Sequence, residues 1–212
     1  MKIKLLMMIG LFTGSVISAQ EKLNKLDKPR LIGFSPSKKT KNVNGMLIKY
    51  YDEIDHEIQP KKVNGVGLGF NGLGIFFPAL LLVSIPSIDN WAINDIDSET
   101  LPDKMNKING LQLSIINMEP TVTNGLEINM ASNISAPSVT NGVAFSPLYN
   151  FHHTTKGAAV STFANVAQKC RGAQIALINV CKDSRGIQIG FWNENEKRKL
   201  PLINWNFKNK KS

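Results

Sequence analysis

The sequence predicts an all-β chain of repetitive short strands. A β-solenoid is the favoured architecture and an up-and-down β-barrel the alternative. The first observation is a repeat. "RGAQIALIN" starts at Arg171 and "RGIQIGFWN" at Arg185. Related units start at Asn109, Asn124, Asn141 and Lys156. Their glycines, Gly110, Gly125, Gly142, Gly157, Gly172 and Gly186, are spaced 15, 17, 15, 15 and 14 residues apart. Such a period marks stacked supersecondary units. The second observation is alternation inside each unit. Ile187, Ile189 and Phe191 alternate with Gln188 and Gly190, which is the period of a strand. The third is punctuation. Each unit opens on Gly and closes on an Asn (Asn117, Asn133, Asn150, Asn165, Asn179, Asn193), residues that tolerate turns and positive φ.

Residues 1–19 read as a signal peptide. Lys2 and Lys4 precede an apolar run from Leu5 to about Phe12, and small residues lead to Ala19. The run is too short to span a bilayer. The Lys-rich start reads as bacterial, and no Cys at the cleavage site suggests a lipid anchor. Cleavage would lower the formal charge from +9 to about +7. Residues 20–43 are polar and expected to be flexible. Residues 44–87 hold two weaker units, at Gly45 and Gly65, and a Gly-rich apolar stretch. Its Gly and Pro78 argue against a membrane helix. Residues 88–108 read as a linker, 109–207 as the repeat domain and 208–212 as a basic tail. "KLPLINWNF" (Lys199–Phe207) fits as a degenerate last unit.

Uniform connections favour the solenoid, because membrane barrels alternate short turns with long loops. Small or apolar residues recur after the Asn, as a second coil face requires. The barrel draws support from Ile203, Trp205 and Phe207, which alternate like a closing strand. Apolar Ile175, Leu177, Ile189 and Phe191 are the expected core. Gln112, Gln174 and Gln188 fall on the other face, as a candidate ligand face or a hydrogen-bonded ladder. Cys170 and Cys181 flank a strand of roughly 25 Å, beyond the ~7 Å a bridge tolerates, so they are expected to be small core residues unless the chain folds back.

Catalytic motifs are weak. "GLGFNG" (Gly67–Gly72) formally matches a dinucleotide loop but precedes "LGIFFP" rather than a helix. His152 and His153 are adjacent, which is poor metal geometry, and are expected in a loop or turn. The acids Asp103, Glu119, Glu127, Asp183, Glu194 and Glu196 do not share unit positions, so the carboxylate pair of a glycosidase is not evident. No GxSxG elbow occurs. The sequence therefore assigns no catalytic, cofactor-binding or metal-ligating residue. Lys197, Arg198, Lys199, Lys208, Lys210 and Lys211 form a basic end that could meet envelope lipid or polysaccharide. Nucleic acid is not expected as a partner of an exported chain.

"GAQIALIN", "GIQIGFWN" and the closing "NEKRKLPLINWNF" resemble the GxQIGxxN repeats of exported bacterial surface-repeat proteins. The resemblance spans roughly Asn109 to Phe207 and weakens where Ala144 and Ala159 replace Gln and Pro147 interrupts. It implies export to the periplasm, outer membrane or cell surface, and no catalysis. The expected function is a non-catalytic envelope or surface protein with a structural or binding role. A small outer-membrane barrel comes next, and a carbohydrate-active enzyme on a solenoid last.

Overall fold

The computed structural model describes residues 28–35, 41–51, 61–71, 105–117, 119–133 and 138–207. The segments read from the sequence as a signal peptide and as a basic tail, most of the expected linker and the apolar stretch beyond residue 71 lie outside them. Ten strands form one sheet in chain order: β1 (Arg30–Ser35), β2 (Asn42–Tyr51), β3 (Lys62–Asn71), β4 (Asn106–Asn117), β5 (Thr121–Asn133), β6 (Val139–Ser146), β7 (Tyr149–Ser161), β8 (Ala164–Ile175), β9 (Ile178–Asn195) and β10 (Lys199–Asn206). Every pairing from β1 to β9 is parallel. The chain is a β-solenoid, not a barrel.

The glycines set the stacking register. Gly45, Gly65, Gly110, Gly125, Gly142, Gly157, Gly172 and Gly186 pair in one unbroken column. Their φ values lie between +123° and +150°, where side chains are rarely tolerated. The stack forbids a Cβ independently. One added to Gly142 would sit 1.9 Å from the carbonyl oxygen of Gly125, and one on Gly186 would sit 1.8 Å from that of Gly172. Each glycine lets its coil bend while the neighbouring backbone passes directly beneath it. The strands of the two weaker units, at Gly45 and Gly65, thus belong to the same stack.

The alternation is real but its two sides are reversed from expectation. The position two after each column glycine points inward, giving Leu47, Gly67, Gln112, Glu127, Ala144, Ala159, Gln174 and Gln188, all buried. The positions one and three after it point outward. The outer columns are Ile32, Met46, Val66, Leu111, Leu126, Val143, Ala158, Ala173, Ile187, Trp205 and Phe34, Ile48, Leu68, Leu113, Ile128, Phe145, Val160, Ile175, Ile189, Ile203. Ile175, Leu177, Ile189 and Phe191 are therefore surface residues, Phe191 being 73% exposed, and not core. The physical reason is the narrow coil. From Gln112 onward mostly small, amide and carboxylate side chains fill this inner column, and Gln188 bonds to its copy Gln174 one coil away.

Two small apolar clusters lie in the interior besides the one around the cysteines. Val43, Leu47, Val63 and Ile108 fill the first coils. Tyr149, Phe151, Ala164 and Val166 cluster near the Asn corner, the Tyr149 ring stacked 6.0 Å from Phe151 and 5.8 Å from Phe163.

Three further expectations change. The segment expected to be flexible contains β1, because Ile32 and Phe34 extend the outer columns. The last unit is not another parallel coil: β10 runs antiparallel to β9. Asn195 makes that reversal, its Oδ1 accepting from the amides of Lys197 and Arg198. Cys170 and Cys181 form a disulfide with Cα atoms 6.3 Å apart. Cys181 stands three residues before Ser184, the residue stacked on Cys170 one coil later, so the chain has come most of the way round a coil and strand length along the sequence does not separate the two in space. Ala167 packs with both.

Candidate functional site

Three sets of groups could carry function: the interior polar columns, the acids, and the outer face with its rims. The inner Asn corner comes first. Asn150, Asn165, Asn179 and Asn193 donate and accept in series, Nδ2 to Oδ1, at 3.0, 3.0 and 2.8 Å. The same amides donate to backbone carbonyls of the bend. Asn165 serves Ala159 and Ile175; Asn179 serves Ala176 and Ile189. These residues hold a corner and face no solvent.

The glutamines lie inside too. Gln112, Gln174 and Gln188 are 0%, 2% and 1% exposed, so they form no ligand face. Gln188 Nε2 donates to Gln174 Oε1 at 2.9 Å and also to the carbonyl of Glu194 at 2.9 Å. This is the ladder alternative, for that pair. Gln112 belongs to the same column but neighbours Gly67 and Glu127 instead.

Glu127 replaces Gln in that column and anchors a network the sequence did not disclose. Oε1 accepts from Asn117 (3.3 Å), Asn129 (3.2 Å) and Asn133. Oε2 accepts from Thr140 at 2.6 Å and lies 3.4 Å from His152 Nε2. Burial alone would push this carboxyl upward. The bond and charge of His152, with Thr140 and Asn129, outweigh burial and hold it from an ordinary 4.5 down to about 2. The sequence signal was positional: Glu127 stands where Gln stands in other coils, and His152 where Ala167 and Cys181 stand. His152 and His153 are buried on β7, not in a turn, because β7 runs continuously round its corner.

The remaining acids are dispersed. Glu119 lies 3.6 Å from Lys49 Nζ and accepts from Asn106 at 2.7 Å. Burial lowers the Lys49 ammonium, and the charges of Glu119 and Glu127 oppose that shift. Asp183 pairs with Arg171 at 2.6 Å and Glu194 with Lys199 at 3.0 Å. Glu196 accepts from the Ser184 amide and from Asn206. Asp103 lies outside the described residues. Among the described residues no three His, Cys, Asp or Glu gather as metal ligands.

The outer face is an extended surface that the interior does not absorb. Its apolar columns carry no charge from β1 to β10. Along one border, in the position before each glycine, Asn44, Asn64, Asn109, Asn124 and Asn141 form an outer amide ladder at 2.7–2.8 Å. Lys156, Arg171 and Arg185 then continue that column in register. At the C-terminal end the Arg198 guanidinium lies 4.6 Å over the Trp205 ring. No family model, curated protein or solved structure matches the chain.

Proposed function

We propose that the chain is an exported cell-envelope or surface repeat protein with a non-catalytic, structural or binding role. The observation that carries this reading is the Cys170–Cys181 disulfide. Such bridges persist in oxidising compartments and are rare in a reducing cytosol. The leader-like start at residues 1–19 and the resemblance to exported GxQIGxxN repeats point the same way. A non-catalytic role is supported by the use of the interior polar groups. Glu127, the acid most suited by burial to acid–base work, is enclosed and bound by donors from several coils. Asp183 is committed to Arg171.

Fractionation of the producing cell, with thiol labelling under native and reducing conditions, tests the reading. The chain is expected in the periplasmic, outer-membrane or surface fraction, its thiols reacting only after reduction. A cytoplasmic chain with two free thiols would overturn it.

A further inference from the structure

We propose that the outer apolar sheet face lies flat on the surface of an anionic lipid bilayer. This rests on the envelope reading above and names the partner class. The face is long and regular: ten strands at about 4.8 Å make it roughly 43 Å long, and four residues make it about 13 Å wide. That is on the order of 550 Å² of apolar sheet, at the upper end of what a monomer leaves uncovered. Val143, Phe145, Ile175, Ile189 and Trp205 are each about two-fifths exposed or more, although flanked by neighbours on the sheet.

The charge around the face selects the occupant. Among the described residues, thirteen Lys and Arg side chains reach the surface, against only Asp183, Glu194 and Glu196; Lys49, Lys61, Glu119 and Glu127 are buried. A second copy of so basic a surface would be repelled. An acidic headgroup layer would be attracted. Lys156, Arg171 and Arg185 border the apolar columns along one side. Arg198 and Trp205 join a cation to an amphipathic ring at one end. An apolar face bordered by cations along its later coils, with a cation and an aromatic ring at one end, shares the pattern by which amphipathic helices settle at a bilayer interface. Here a sheet presents it. Arg171 keeps Asp183 as a partner and contributes less than its neighbours.

Flotation with vesicles tests the proposal, using the full chain and variants that share every other segment. The probes are vesicles of phosphatidylglycerol and phosphatidylcholine in equal parts, and vesicles of phosphatidylcholine alone. The wild type is expected to float with the anionic vesicles, less with the neutral ones, and to be released by high salt. The Ile175→Gln/Ile189→Gln variant should bind about tenfold more weakly or worse. Both side chains are on the surface, and circular dichroism checks that the variant is folded. Should it fail to fold, Lys156→Gln/Arg198→Gln supplies the same test, at about fivefold for each charge removed. Absence of binding to anionic vesicles overturns the proposal, as does equal binding by a folded face variant. A dimer that the face variant dissociates, without vesicle binding, overturns it in favour of self-association. An exported chain that ignores vesicles refutes only this inference. A cytoplasmic chain refutes the envelope reading whatever the vesicles show.

Discussion

Two asparagine columns run along the solenoid, with the same chemistry and very different settings. The outer one, Asn44 to Asn141, lies on the surface of the earlier coils and bonds only amide to amide. The inner one is buried; it starts with Asn117 and Asn133, which donate to Glu127, and from Asn150 to Asn193 it becomes an amide ladder that also satisfies backbone carbonyls at each bend. Water can replace an outer amide bond but cannot reach the inner ones. The difference teaches that periodic spacing does not reveal energetic weight. Exposure and the number of groups each amide satisfies decide it.

The largest break would strike both columns at once, because both depend on coil register. Gly142→Ala combines a disfavoured φ with a Cβ 1.9 Å from a backbone oxygen. It should cost more than about 4 kcal/mol and abolish the cooperative melt followed by circular dichroism. Reduction of Cys170–Cys181 frees a loop of sequence separation 11 and should cost about 3 kcal/mol in urea unfolding. This isolates the later coils, where the inner amide ladder lies.

Glu127 probes the transition between the two regimes. Its folded value of about 2 lies below its ordinary 4.5. Its contribution is therefore fully present above pH 4.5 and is lost as pH falls through about 2. That contribution is on the order of 3 kcal/mol. Glu127→Gln should flatten the acid limb of the stability–pH curve, measured by denaturant midpoints. An unchanged limb would refute the assignment.

The direct comparison of columns has smaller effects. Asn165→Ala removes donors to Ala159, Ile175 and Asn179 and should cost about 2 kcal/mol. Asn124→Ala on the outer column should cost under about 0.5 kcal/mol. Equal losses would show that the exposed ladder bears as much of the fold as the buried one.

Much of the fold was legible because repetition is legible. The Gly spacing located the coils, and period 2 located the strands, even at Gly45 and Gly65. Alternation cannot say which side faces in, however, and the usual apolar-inside rule misassigned Ile175 and Phe191. The inward set betrayed itself only weakly, in that Gln174 and Gln188 recur where a solvent-facing position is free to vary. The disulfide is not legible in strand length, which counts along the chain, because closure happens across the stack. The reversal at β10 escaped because "LINWNF" keeps the alternation of a coil, and alternation is blind to direction. The Glu127–His152 contact joins residues 25 apart, and no local pattern links them.

The glycine column has a consequence for how such a molecule can change. Gly45 and Gly65 are 20 residues apart, Gly65 and Gly110 are 45 apart, and Gly172 and Gly186 are 14 apart, yet each pair stacks directly. Contour length between coils is thus uncoupled from their separation in space. The stack behaves as a spine with editable inserts. A foreign cassette could be carried between β3 and β4, or a whole coil added in the middle, while both ends of the molecule keep their present form.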